Sequence, residues 1–238
     1  MTETTSQRIR LTVGDQTQMH AYVARPSGAA ANSGIIVVQE AFGVNTHIRD
    51  VADRCAQLGM VAVAPELFHR TADGFEGSYG DFDAIRPHMA ALTVPGIIAD
   101  MRAAYQWLRE EAGLAPERIA VIGFCMGGRV AYLANAELPF GAAISFYGGG
   151  IAPEHLERAR TQHGPLLMFW GGKDAHIPAE QYRAVADALT AADALHEQVV
   201  FSQADHGFFC DQRASYDPGS ARQAWALVLE FLRVFGVL

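Results

Sequence analysis

The sequence predicts an α/β protein in which a mostly parallel sheet is covered by helices on both faces. Short, β-branched apolar runs recur along the chain, helical patterns lie between them, and Gly or Pro marks most of the joins. At the start, "RIRLTV" (8–13) and "MHAYVARP" (19–26) alternate apolar and polar residues, which predicts an antiparallel hairpin at one edge. "GIIVVQE" (34–40) reads as a buried strand, and "THIRDVADRCAQLG" (46–59) as a helix stopped by Gly59. "MVAVAPEL" (60–67) is the next strand. Residues 66–92, rich in Gly, Asp and His, read as a long irregular loop, and loops of that length are functional or mobile.

Beyond it, residues 94–113 carry Ile98, Met101, Ala104, Tyr105 and Leu108 on one helical stripe. Strands follow at 118–124, 141–148, 165–172 and 197–202. The intervening helices are expected at 129–136, 152–161 and 179–193, with a last one at 219–235. With no linker composition and no internal repeat, the expectation is one domain over 1–238 without a large cap.

Composition narrows the function classes. Half of the 238 residues are hydrophobic, enough for a large core, and the formal charge of −8 disfavours nucleic acid or an anionic membrane as partner. The polar N-terminus and the lack of a long apolar run predict a cytoplasmic protein, as a monomer or small homo-oligomer. Three cysteines, Cys55, Cys125 and Cys210, are an odd number at irregular spacing, a poor disulfide framework. No Cys/His cluster has zinc spacing, so neither a metal nor a cofactor is expected.

Chemistry enters at "VIGFCMGGRV" (121–130), where a strand runs into Gly-x-Cys-x-Gly-Gly and a helix leaves it. This is the arrangement of a nucleophile elbow, and it predicts the α/β-hydrolase fold. The flanking glycines let strand and helix approach, while the helix N-terminus favours thiolate and a developing oxyanion. On that fold an acid and then a histidine must follow later strands. Asp174 in "GGKDAHIP" and His206 in "ADHGF" arrive in that order. Asp205 is expected to point away, His176 to be a loop histidine, and Cys55 and Cys210 to be buried structural thiols.

The motifs "VVQEAFGVNTHIRDVADRCAQLGMVAVAPELF", "GFCMGG", "GGKDAHIP" and "ADHGF" resemble the dienelactone hydrolase (carboxymethylenebutenolidase) family from about residue 34 to 235. The resemblance implies Cys125 as nucleophile, His206 as base and Asp174 as its orienting partner. It implies that Glu40 keeps the resting cysteine protonated until substrate binds, and that the amides of Ala41 and Met126 form the oxyanion hole. Phe42 and Tyr147 match pocket-lining aromatics. In the family two arginines hold a substrate carboxylate, one of them four positions after the histidine, where this chain has Cys210. Arg213 is the next arginine. Arg86, with Arg70 behind it, is the expected anion contact in the 66–92 segment.

The expected function is hydrolysis of an enol lactone or activated ester through a Cys–His–Asp triad and an acyl-thioester. Three alternatives stand beside it: an esterase or thioesterase for a non-carboxylated ester, a ligand-binding sensor with a retained pocket, and a thiol-redox protein. The last lacks a resolving cysteine near Cys125 in sequence.

Overall fold

The computed structural model describes residues 3–28 and 31–238. Contacts divide the chain into two compact units, Met1–Ile119 (with Leu238) and Ala120–Val237. In the first, β1 (Thr4–Thr12) and β2 (Gln18–Pro26) form the expected antiparallel hairpin, with Thr12 opposite Gln18 and Thr4 opposite Pro26. Its turn is tied by Asp15, whose carboxylate accepts from the backbone N–H (3.1 Å) and the hydroxyl (2.5 Å) of Thr17. β2 pairs antiparallel with β4 (Val61–Pro65), which pairs in parallel with β3 (Gly34–Val38). Every residue of β3 and β4 is buried, which is why these strands read as continuous apolar runs rather than alternating ones.

α1 (Thr46–Gln57) packs on this half-sheet through Ile48, Val51, Ala52 and Cys55. Asn45 caps it by accepting from the N–H of Ile48, and Gly59 leaves it at φ 93°. Between β4 and α3 (Val94–Glu110) the 66–92 segment is more ordered than its composition suggested. It contains α2 (Phe82–Ala91), capped by Asp81. The helix was illegible because Pro87 interrupts its pattern and because Ile85 is its one fully buried residue.

A buried charge fixes the segment's start. Asp100 on α3 is fully buried and accepts from both terminal nitrogens of Arg70 at 2.8 Å, with His69 Nε2 at 3.1 Å. Arg70 also donates to Asp15 at 2.9 Å. The guanidinium is thus committed to scaffold carboxylates, unlike the reserve anion contact expected of it. Arg70→Ala is expected to lower stability by about 2–4 kcal/mol, because it strands a buried carboxylate that His69 only partly compensates. Chemical denaturation of both proteins measures this, and a change below about 0.5 kcal/mol contradicts it.

The second unit opens one residue into β5 (Ile119–Phe124), which is followed by β6 (Ala142–Phe146), β7 (Leu166–Gly171) and β8 (His196–Phe201). All are parallel and paired in that order. α4 (Met126–Asn135) packs on β6, and α6 (Pro218–Val234) lies against β7. α5 (Ala179–Ala191) packs against a 3-10 turn at Leu156–Thr161, where the sequence predicted helix over 152–161. Parallel strands bring their carboxyl ends to one side of this half-sheet, the side on which open α/β sheets bind ligands. Among the described residues, no helix is long and apolar enough to cross a membrane.

Candidate active site

β5 ends at Phe124 and α4 begins at Met126, leaving Cys125 alone to turn the chain. It does so at φ 56°, ψ −119°, a conformation that L residues rarely adopt. The turn is tight enough to require glycine around it. A Cβ on Gly123 would lie 1.9 Å from the carbonyl oxygen of Gly127, and one on Gly128 would lie 2.6 Å from that of Phe146. The Cys125 N–H donates to the Phe146 carbonyl at 3.0 Å, tying the elbow to the neighbouring strand. Met126 occupies the first helical position, where a backbone N–H has no intrahelical acceptor and faces the positive end of the dipole.

Asp174 follows β7 and is buried, with both carboxylate oxygens engaged. Oδ1 accepts from the backbone N–H of His176 at 2.8 Å, and Oδ2 lies 2.7 Å from His206 Nδ1. That contact fixes the tautomer: Nδ1 carries its proton toward Asp174, leaving Nε2 for the side-chain hydrogen bond with Cys125. Burial alone would push the His206 imidazole down, but the hydrogen bonds with Asp174 and Cys125 outweigh it and raise it to about 10. Burial would likewise raise Asp174, yet the His206 hydrogen bond holds its carboxyl below the usual range. Both shifts run in the direction that stabilises imidazolium beside the Asp174 carboxylate once His206 has taken up a proton.

The competing residues are disposed of by position. Asp205 is exposed and accepts from the backbone N–H of His206 at 2.6 Å, whereas the imidazole Nδ1 is met by Asp174. His176 is exposed, its ring edge-on to His206 at 5.3 Å between centroids. Cys125 is half-buried, whereas burial pushes the Cys55 thiol up to about 12, and Cys210 is fully enclosed. Tyr147 is enclosed too, with its ring 5.1 Å from that of His206. Arg213, not anticipated at the site, has its guanidinium against Gly207, where a Cβ would lie 2.3 Å from Nη1. The signal for it was its place three residues past the position where the family carries arginine.

In the first unit, Glu40, Ala41 and Phe42 follow β3, all of them buried. Isolated bridges join Glu40 to Gly43 and Gly43 to Glu76, and the Gly77 N–H donates to the Phe42 carbonyl at 3.0 Å. Gly43, at φ 81°, is required, since a Cβ there would fall 2.0 Å from the Phe75 carbonyl oxygen. Phe42 packs with Tyr79 at 4.5 Å and Phe82 at 6.0 Å, and Asn45 donates to the Tyr79 hydroxyl at 2.8 Å. These two aromatics were missed because "FEGSYGDF" carries no periodic pattern. Arg86 lies exposed on α2 and pairs with Asp83 at 3.2 Å.

His20, Glu66 and Asp73 converge closely enough to suggest a cation site. Both carboxylates, however, already accept from Arg8, at 2.7 Å for Glu66 and 2.9 Å for Asp73. A metal would have to displace that guanidinium, so the cluster is read as an anchor of the β1–β2 hairpin.

Comparison with known proteins matches the chain to a family. The dienelactone hydrolase family profile covers residues 19–236. A Synechocystis protein named "Putative carboxymethylenebutenolidase" is 38% identical over 226 residues, 91% of this chain and 92% of the relative. A protein of the same name from Salmonella typhimurium is 37% identical over 231 residues, 92% of this chain and 83% of its own length. Among solved structures, "Putative Dienelactone Hydrolase" from Klebsiella pneumoniae superposes with a TM-score of 0.88 at 34% identity, covering 99% of this chain and 100% of the other. The strand and helix order is that of the α/β-hydrolase fold, and the chain belongs to the dienelactone hydrolase family.

Proposed function

We propose that this carboxylic ester hydrolase opens enol lactones or similarly activated esters, with Cys125 as nucleophile, His206 as acid–base and Asp174 as orienting partner. The observation that carries the reading is the Asp174–His206–Cys125 hydrogen-bond chain ending at a positive-φ elbow. In the first half-reaction the Cys125 sulfur, its proton passed to His206, attacks the carbonyl carbon and a C–S bond forms. The carbonyl π pair moves to oxygen, where the Met126 amide receives it. Collapse breaks the ring C–O bond, and the departing oxygen takes the proton from His206. In the second half-reaction His206 removes a proton from water, the resulting hydroxide adds to the thioester, and the C–S bond breaks to return thiolate beside imidazolium.

The family resemblance supplies the remaining roles: the Ala41 amide as second oxyanion donor, and Glu40 as the group that keeps the resting cysteine protonated. A thiolate suits good leaving groups such as enolates. With amides the intermediate expels sulfur before nitrogen, so peptide hydrolysis is not part of the proposal. A screen of dienelactones, aryl esters and thioesters tests the class, and turnover of enol lactones or activated esters above alkyl esters is the expected outcome. No turnover of any of them overturns it.

A second reading, an uncharged ester as natural substrate, is favoured by the commitment of Arg70 to Asp100 and by the thiol at position 210. Arg86 and Arg213 are the candidates for meeting a carboxylate. A charge-assisted hydrogen bond is worth about 1.5–3 kcal/mol, so alanine at the arginine that reads the carboxylate should cost about 10- to 100-fold in kcat/KM. The loss should appear for a carboxylated lactone and not for its methyl ester. If neither Arg86→Ala nor Arg213→Ala changes the acid-to-ester ratio, the uncharged ester is the substrate.

A further inference from the structure

Tyr147 pairs an unfavourable backbone with contact to the catalytic base. It leaves β6 at φ 38°, and a bulky side chain there is a true outlier. The strain sits in register with the elbow. Phe124 pairs with Phe146, so Cys125 and Tyr147 leave adjacent parallel strands at the same level, both at positive φ. Each also extends the ladder by one bond, Cys125 N–H to the Phe146 carbonyl and Tyr147 N–H to the Phe169 carbonyl at 2.8 Å. The conformation therefore has support on its backbone side and must be repaid on its side-chain side.

The Tyr147 ring is fully buried, 5.1 Å from His206, 5.3 Å from Phe208 and 6.0 Å from Phe146. An enclosed ring is poorly placed to line a substrate pocket, the role its match to the family implied. His206, by contrast, sits on the loop after β8 and its imidazole contacts two rings, the buried Tyr147 and the exposed His176. Asp174 holds the imidazole at Nδ1 and Cys125 meets it at Nε2, both through atoms of the ring edge, and the Tyr147 ring adds an enclosed packing contact beside them.

We propose that Tyr147 is a positioning residue that holds the plane of the His206 imidazole, so that Nε2 stays aimed at Cys125. It rests on the triad reading and acts through His206, without touching substrate. A misplaced base costs turnover rather than binding, on the order of 10- to 100-fold.

Steady-state kinetics normalised to the folded fraction test it, together with the His206 ring-proton NMR signals. Tyr147→Leu should lower kcat about 10- to 100-fold with KM within about threefold, and should shift those signals as the ring current disappears. Tyr147→Phe, which keeps the ring, should restore most of the lost turnover. If the leucine variant folds poorly, Tyr147→Gly replaces it: glycine accepts the positive φ, so that variant should fold yet show the same kcat loss. Unchanged kcat in a folded ring-less variant overturns the proposal. So does a loss confined to KM, which would make Tyr147 a substrate contact, or a phenylalanine variant as slow as leucine. Turnover by Cys125→Ala would instead overturn the triad itself, whatever the Tyr147 variants do.

Discussion

Cys125→Ala is expected to abolish ester turnover, by about 10⁴- to 10⁶-fold, while leaving the thermal midpoint within a few degrees of wild type. The size follows from cooperation within the triad: without sulfur, His206 and Asp174 have no nucleophile to serve, and what remains is binding and oxyanion stabilisation. The small stability effect follows from location. Cys125 is half-buried, and removing Sγ from a turn held by backbone hydrogen bonds empties little packed volume. Alanine still has to adopt φ 56°, so no strain is relieved. Activity above a few per cent of wild type, in protein free of contaminating esterase, would remove Cys125 from the mechanism.

Asp174→Asn is the second large effect, expected at about 10³- to 10⁴-fold in kcat. An amide can present its NH₂ to Nδ1 and stabilise the tautomer with the proton on Nε2, the wrong side for accepting one from Cys125. It also removes the charge that favours imidazolium. The same variant carries a pH signature. The raised His206 contributes stability that is fully present below about pH 6.5 and lost as pH rises through about 10. The depressed Asp174 contributes stability present above its ordinary value near 3.8 and lost as pH falls below it. The stability gap between wild type and Asp174→Asn should therefore be widest from about pH 4 to 6.5 and narrow on the alkaline side. A gap that widens above pH 8 contradicts the ion-pair assignment.

Much of the second unit was legible in the chain because β5, β6 and β7 are fully buried and the candidate catalytic residues follow strand ends. A continuous apolar run such as "RIAVIGF" has few readings, and the elbow glycines flag a turn that no Cβ could enter. The order Cys125, Asp174, His206 could then be checked against the strands before any distance was known. The 66–92 segment resisted for the opposite reason. α2 buries little besides Ile85, so it leaves no amphipathic stripe, and Pro87 reads as a helix stop. Arg70 looked like a free cation because its partner Asp100 lies 30 residues away, inside a stripe otherwise read as apolar. Tyr147 fell inside the strand expected at 141–148 and, through the resemblance, matched a pocket-lining aromatic; its positive φ has no counterpart in composition or spacing.

The central claim is a covalent bond between Cys125 and the acyl half of the substrate. Rapid acid quench during turnover of an activated ester, followed by digestion and mass spectrometry, tests it most directly. The peptide containing Cys125 is expected to gain the mass of the acyl group, hydroxylamine to remove it, and His206→Ala, unable to activate water, to accumulate it during slow reaction. Turnover with Cys125 unmodified at every time point, or the acyl group found on Cys55, Cys210 or a serine instead, would contradict it.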